Sequence, residues 1–216
     1  MGKKMFNQKQ ILMANLGLHG AFDAPIDSKA LELIKHFESL HDGDSQKIGL
    51  QPKMDPIGIW TAGYGHALRD PNNPSKFLKG ASNRGIAEKM CTLKNESEAL
   101  ALLNSDLVHD TLPIVKEKVS LEALVFLKPH QVGALVSFVY NCGTGYRNKL
   151  GIWVPFAIWD NLTKLFVNPS SYSQDKFMAY WESSVIKAGG KVLPGLVRRR
   201  KAEAWLFRYN ELKLNF

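Results

Sequence analysis

Glu38, Asp55, Thr61 and His66 are the residues of this chain best arranged to do chemistry. Glu38 closes an amphipathic helical pattern, directly after Phe37. Asp55 opens the run Asp55-Pro56-Ile57-Gly58-Ile59-Trp60-Thr61-Ala62-Gly63-Tyr64-Gly65-His66. There an alternating apolar stretch leads to a threonine, and two glycines then bracket a tyrosine. A glutamate on a helix, with an aspartate and a threonine on a tight hairpin, suits water-dependent cleavage of a glycosidic bond. One carboxyl group protonates the leaving oxygen, and the other side holds or activates a water. A place in the last helical turn sets Glu38 beside the negative end of the helix dipole, a position from which it is the candidate general acid. Asp-Pro-x-Gly is also a common turn in which the aspartate caps its own backbone. A lone histidine beside an apolar element is more often a structural hydrogen-bonder than a catalyst.

These residues need a scaffold. Asp27 or Ser28 can cap a helix in which Ala30, Leu33, Ile34, Phe37 and Leu40 share a face. His41-Asp42-Gly43-Asp44-Ser45 ends it. Residues 48–67 alternate and carry Pro and Gly, which predicts short strands in a small sheet. Residues 70–74 read as a loop, and those up to Thr92 fit neither period. Asn95 with Glu98 resembles a capping box, followed by Ala99, Leu100, Leu103, Leu107 and Val108 on one side, until Pro113 kinks or ends the helix. Pro129 suits a first helical position ahead of a Val132, Leu135, Val136, Val139 stripe, and Gly143 and Gly145 can stop it. A further helix with Phe177, Met178, Trp181 and Val185 is expected to end at Gly189-Gly190. The last follows Pro194, with Ala202, Trp205, Leu206 and Tyr209 inward. The expected architecture is mostly helical, with one small sheet toward the N-terminal side and a cleft between the two parts. Residues 1–26 read as an N-terminal extension and 27–216 as the catalytic domain.

At 216 residues, with 45% apolar side chains and five Trp, the chain is globular, with room for one core or two lobes sharing a long helix. Its net charge of +8 attracts polyanions or simply aids solubility. No nucleic-acid motif accompanies the charge, so nucleic acid is not an expected partner. Cys91 and Cys142 show no metal-ligand spacing. A buried free thiol is the default for Cys142, and a bond between the two is left open. No apolar run approaches the ~20 residues of a membrane span. Met1-Gly2-Lys3-Lys4-Met5 and Ile11-Leu12-Met13 make a poor signal peptide, interrupted by Asn7, Gln8, Lys9, Gln10 and Asn15. A protein of this kind acting outside the cytoplasm needs another factor to release it.

Four ordered motifs resemble the phage-type lysozymes, the endolysin muramidases of glycoside hydrolase family 24. They are Phe37-Glu38 at a helix end, the hairpin from Asp55 to His66, Ala134-Leu135-Val136-Ser137-Phe138-Val139-Tyr140-Asn141-Cys142-Gly143, and Leu193-Pro194-Gly195-Leu196-Val197-Arg198-Arg199-Arg200. Gly-Tyr-Gly-His alone would be weak; the ordered set is specific. The resemblance implies an α+β, mostly α, lysozyme-like fold, with a small β-sheet lobe and a larger helical lobe flanking a cleft. It implies an endo-acting, monomeric muramidase that hydrolyses the β-1,4 bond between N-acetylmuramic acid and N-acetylglucosamine in peptidoglycan, with no cofactor and no metal. By the same resemblance Glu38 is the general acid, Asp55 the second carboxylate and Thr61 the hydroxyl that holds the attacking water. Asn141 turns an amide toward the sugar, and His66 helps hold the glutamate. One C-terminal arginine, taken as Arg199, pairs with the acid, although the run Arg198-Arg199-Arg200 does not itself reveal which. The others serve anionic cell-wall polymer or a solvated face.

The chain departs from the family in places. Glu38 and Asp55 stand 17 residues apart, more than in the family, and the inserted stretch at 42–54 carries Asp42 and Asp44 as rivals to Asp55. Loop insertion costs only ~0.6 kcal/mol per doubling of length, and the Asp55-to-Thr61 spacing is intact. Residues 152–173, rich in Trp and Phe, extend a sugar platform or belong to the core. Two other readings compete. A lytic transglycosylase uses one Glu and no catalytic water, and would lack the Asp and Thr partners. A non-catalytic wall-binding module or a cationic membrane-active protein fits the charge, yet no stretch pairs a basic face with an apolar one as a membrane-surface helix would.

Overall fold

Asp27 starts the helix that carries the candidate acid. Its Oδ1 accepts from the backbone N–H groups of Lys29 (3.0 Å) and Ala30 (3.3 Å), satisfying donors that a helix start otherwise leaves open. Helix α1 then runs Ser28–Glu38, with Ala30, Leu33 and Ile34 buried and Phe37 and Glu38 half-buried. The computed structural model describes residues 21–38, 50–55 and 57–216. Leu40, Asp42, Asp44 and most of the insertion lie outside the described residues, as do the first 20 residues of the N-terminal extension. The chain divides into two units, one of residues 35–107 and the other of residues 1–34 with 108–216.

In the 35–107 unit, strands β1 (Lys53–Met54), β2 (Trp60–Ala62) and β3 (His66–Ala67) form an antiparallel sheet in that order. Thr61 pairs with Lys53 on one side and Ala67 on the other, and Ala62 pairs with His66. The loop expected at 70–74 is the turn of a further hairpin, β4 (Arg69–Asp70) with β5 (Asn73–Phe77). Pro74 is tolerated there because a two-stranded ribbon has an open edge on which a missing N–H costs nothing. Helix α2 (Arg84–Met90) fills a stretch whose sequence showed no clear period. Helix α3 (Glu96–Asp106) starts as anticipated, Asn95 Oδ1 accepting from the Glu98 N–H at 3.0 Å, while Glu98 Oε2 reaches back to the Lys94 N–H at 2.9 Å. Trp60, Ala62, Leu68, Leu78 and Ala87 form the core of this unit, with Ile86, Cys91 and Leu93 against them.

The other unit is mainly helical. A π-helical stretch, Leu107–Thr111, precedes α4 (Leu112–Lys118), so Pro113 sits in a first turn where its missing N–H is harmless. After α5 (Leu121–Leu124) comes α6 (Pro129–Cys142), buried along almost its whole length, with Pro129 at its start and Gly143 ending it. Gly133 is the point where α6 meets α1: a Cβ there would lie 2.5 Å from Ala30 Cβ, inside contact distance. Strands β6 (Gly145–Arg147) and β7 (Trp153–Pro155) make a hairpin, followed by α7 (Ile158–Val167) and α8 (Gln174–Ser183). Strands β8 (Lys187–Ala188) and β9 (Lys191–Val192) lead to α9 (Pro194–Tyr209). Phe138, Phe177, Trp181 and Phe207 pack at ring separations of 5.3–6.0 Å and form its aromatic centre.

Three expectations need correction. Among the described residues there are, beside the one expected small sheet, three hairpins, two of them in the helical unit. The helix with Phe177 and Trp181 stops at Ser183, not at the Gly189-Gly190 pair, which instead turns the chain between β8 and β9. On α9, Ala202 and Leu206 are inward as anticipated, but Trp205 is half-buried and Tyr209 exposed, their rings 4.2 Å apart. The inward positions go instead to Arg199, Arg200, Glu203 and Phe207. Both cysteines are free thiols. Burial pushes Cys142 up to about 12 and raises Cys91 as well. No helix among the described residues is long and apolar enough to cross a membrane.

Candidate active site

Asp55 is first of all a turn-former. Its Oδ1 accepts from the backbone N–H groups of Ile57 (2.9 Å) and Ile59 (2.7 Å), and its own N–H donates to Ile59 O at 2.8 Å. The Gly58 N–H donates to Asp55 O at 3.0 Å, closing the turn. Both side-chain bonds use one carboxylate oxygen, and Oδ2 takes no part in them. The Asp55–Ile59 pair continues the β1–β2 ladder by one step beyond Met54–Trp60. Because side chains alternate along a strand, Asp55 and Thr61 fall on the same side of this hairpin as diagonal neighbours. The Thr61 hydroxyl donates to Lys53 O at 3.1 Å, which directs its lone pairs away from the strand, where they can accept from a water.

His66 pairs with Ala62 and therefore lies on the opposite side of the sheet from Thr61. Its Nδ1 stands 2.9 Å from both carboxylate oxygens of Asp106, the last residue of α3. A carboxylate at that nitrogen selects the Nδ1–H tautomer and fixes the ring plane. Two residues earlier, the buried Tyr64 donates its hydroxyl to Glu96 Oε1 at 3.0 Å, at the other end of α3. The Gly63-Tyr64-Gly65-His66 turn is thus fastened to both ends of one helix. Glu96 Oε1 also receives Lys35 Nζ at 2.8 Å. The Lys35 ammonium, and after it the Tyr64 hydroxyl, hold the Glu96 carboxyl below its ordinary value. Lys35 lies one helical turn before Glu38, so a shared carboxylate links the end of α1 to the hairpin turn. Glu38, Asp55, Thr61 and His66 all belong to the 35–107 unit.

Asn141 and Arg199 belong to the other unit. Arg198 is exposed, whereas Arg199 and Arg200 are 2% and 0% exposed, so two arginines of the run are interior. Both contact Glu203, itself fully buried: Arg199 Nε at 3.2 Å from Oε1 and Arg200 Nη1 at 3.1 Å from Oε2. Ser137 Oγ of α6 donates to Glu203 at 2.8 Å and Trp181 Nε1 of α8 at 3.1 Å. One carboxylate therefore joins three helices. Arg199 also donates to Ser137 O at 3.2 Å. Arg200 lies over the Phe138 ring, 4.6 Å from its centroid, and donates to Asn141 Oδ1. That bond fixes the amide with its oxygen engaged and its NH₂ group as the side able to meet a ligand.

Lys35, Glu96, Asp106, Ser137, Trp181 and Glu203 support these residues and were not anticipated. The i,i+4 and i,i+3 spacing of Arg199 and Arg200 to Glu203 was a readable signal. The partners of Tyr64 and His66 lie 32 and 40 residues away along the chain and left no local trace. Among the described residues no group of three or more His, Cys, Asp or Glu side chains is gathered to hold a metal ion.

The sequence pattern described as phage lysozyme matches residues 45–203. The chain is 28% identical over 182 residues to the endolysin of Acyrthosiphon pisum secondary endosymbiont phage 1, an alignment covering 84% of this chain and 97% of that protein. Two solved structures are similar in fold. One is the active form of the P1 phage endolysin Lyz, with TM-score 0.52 and 17% identity, covering 94% of this chain and 92% of that one. The other is the endolysin from the Escherichia coli O157:H7 phage FAHEc1, with TM-score 0.53 and 22% identity, covering 88% and 97%.

Proposed function

Because the chain belongs to the phage lysozyme family, we propose that it is an inverting muramidase, cutting the β-1,4 bond from N-acetylmuramic acid to N-acetylglucosamine. Family membership makes it a peptidoglycan-lysing enzyme; the bond and the residue roles are our reading, as is the assignment of the catalytic domain to residues 27–216. Glu38 gives its proton to the glycosidic oxygen as that bond breaks. A water held between Asp55 and Thr61 attacks the anomeric carbon from the opposite face and loses its proton to Asp55. His66 and Arg199 support the acid, and Asn141 contacts the sugar through its NH₂ group. No cofactor enters the scheme. The protein acts on the cell wall after release by another factor, and its basic surface adds attraction to anionic wall polymer.

The observation that carries this reading is the placement of Asp55 and Thr61 on one side of a hairpin, each with bonding capacity left over. A group that only formed the turn would need no partner hydroxyl beside it. The experiment is digestion of purified peptidoglycan with wild type beside Glu38→Gln, with products followed by mass spectrometry and anomeric NMR. We expect hydrolysed ends, first formed as the α-anomer, and loss of activity by several orders of magnitude in the variant. Mainly anhydro ends, lighter by one water, would mean a lytic transglycosylase. Initial β-anomer would mean direct attack by Asp55. A variant with near-wild-type clearing would remove Glu38 as the acid.

A further inference from the structure

The β6–β7 hairpin has chemistry that wall hydrolysis does not use. Its tip displays Tyr146, Leu150, Ile152 and Trp153, which are 51%, 81%, 57% and 47% exposed. Arg147 and Lys149, also exposed, lie among them. No carboxylate occurs anywhere in residues 123–159. A soluble surface seldom shows four large apolar side chains on a tip of this size, and when it does they mark a contact.

The backbone of the tip is closed on itself. Asn148 Oδ1 accepts from the N–H groups of both Leu150 and Ile152, at 3.0 Å each. Asn148 and Ile152 are bonded through the main chain at 2.9 Å, and the Gly151 N–H donates to Asn148 O at 2.9 Å. Gly151 makes this turn possible, since its φ of 74° is a left-handed conformation that side chains disfavour. Arg147 Nη1 caps Gly151 O at 2.8 Å. The N–H groups of Leu150, Gly151 and Ile152 therefore already have partners within the hairpin. That lowers the cost of entering a medium that offers no hydrogen bonds, where each unsatisfied group is costly.

Apolar tip, flanking aromatic rings and cationic side chains are the three components of a membrane-interface anchor: aliphatic groups enter the acyl boundary, Trp and Tyr sit at headgroup level, and Lys and Arg meet anionic headgroups. A glycan strand would use the rings but gains nothing from Leu150 and Ile152, and an anionic polymer would use only the charges. We propose that the β6–β7 hairpin is a binding site for the anionic lipid bilayer surface, with Leu150 and Ile152 inserting and Lys149 contacting phosphate. The site lies outside the residues assigned to catalysis, so it concentrates the enzyme at a membrane without taking part in bond cleavage.

The test is co-sedimentation of the full chain with vesicles of phosphatidylglycerol and phosphatidylethanolamine, compared with pure phosphatidylcholine. Wild type should partition to the anionic vesicles, and Leu150→Ser with Ile152→Ser should weaken that at least about tenfold, given the transfer free energy of two aliphatic side chains. Lys149→Gln should weaken it about severalfold. The difference in tryptophan emission between wild type and Trp153→Phe should move to shorter wavelength when anionic vesicles are added. Hydrolysis of purified, lipid-free peptidoglycan should be unchanged in the Leu150/Ile152 variant, which separates this proposal from the muramidase reading. Undiminished vesicle binding by that variant overturns the proposal, and so does equal binding to phosphatidylcholine. Loss of lipid-free peptidoglycan hydrolysis in Trp153→Phe, without vesicle binding by wild type, would give the hairpin to the glycan instead.

Discussion

Glu203→Ala should be among the most destabilising single changes this chain can undergo. The carboxylate is fully buried and accepts from Ser137, Trp181, Arg199 and Arg200, at 2.8–3.2 Å. Two of the four donors are charged, and bonds of that kind contribute about 1.5–3 kcal/mol each against ~0.5–1.5 for neutral ones. Removing one member of a buried ion cluster costs ~3–5 kcal/mol, because the remaining charge keeps its desolvation penalty and loses its attraction. At about 2–4 °C per kcal/mol for a chain of this size, Tm should fall by roughly 6–20 °C. Glu203→Gln keeps the volume and one acceptor oxygen, enough for Ser137 or Trp181 but not both, since these donate to different oxygens; it also loses the charge, and should fall between wild type and Ala. Thermal melts by far-UV circular dichroism, with near-UV signals reporting on Trp181, measure both. Since Glu203 also steadies Arg200, which holds Asn141, kcat/KM of the Gln variant should drop well below its melting temperature. A Tm loss for Glu203→Ala under about 2 °C would refute the argument that this carboxylate staples α6, α8 and α9.

Asp55→Asn retains an oxygen for the Ile57 and Ile59 N–H groups, so it should melt near wild type yet lose about 10²–10⁴ in rate, whereas Asp55→Ala should also lose ~1–3 kcal/mol of stability. An Asn variant of full activity in peptidoglycan turbidity assays would reduce Asp55 to a turn residue. Gly133→Ala places a methyl group 2.5 Å from Ala30 Cβ and should cost ~1–3 kcal/mol by urea unfolding, and an unchanged midpoint would contradict the close crossing of α1 and α6. Burial holds His130 below its ordinary 6.5, with Lys128 and Lys29 adding to the effect and Asp27 opposing it. The folded state thus prefers the neutral ring. Its contribution is fully present above about pH 6.5 and is lost as pH falls below that. Melts between about pH 7.5 and 5 should show a smaller loss for His130→Gln than for wild type, and parallel losses would assign the acid sensitivity to other groups.

Much of the scaffold was legible because it is written in local chemistry. Asp27 before an apolar stripe, Asn95 with Glu98, and Pro129 with Gly143 each mark a helix end through bonds made within a few residues, and all three mark helix ends in the structure. The hairpin at Asp55 is equally local, because its turn is closed by Asp55's own side chain. Where local signals were weak or ambiguous the reading faltered. The 73–77 strand carries Asn and Pro, which are ordinarily turn residues, and the β6–β7 hairpin lacks the alternation of a half-buried strand. Gly189-Gly190 suited a helix stop and proved to be a hairpin turn, since Val185 had already left the helical region at φ 50°.

The sequence by itself determined the candidates for chemistry: a helix-end Glu38, an Asp55 and Thr61 at hairpin spacing, and an ordered set of motifs around them. Only the tertiary structure decided what those residues stand on. Tyr64 and His66 find Glu96 and Asp106 at opposite ends of α3, and nothing within a few residues of either could announce those pairs. A run of three arginines reads as a solvated face, because burying a guanidinium is costly on its own. Two of the three are interior because Glu203, Ser137 and Asn141 arrive from the same helix and from α6. Compensation of a buried charge is a property of the assembled neighbourhood, set by groups far apart in the chain, and so it is absent from any local pattern of residues.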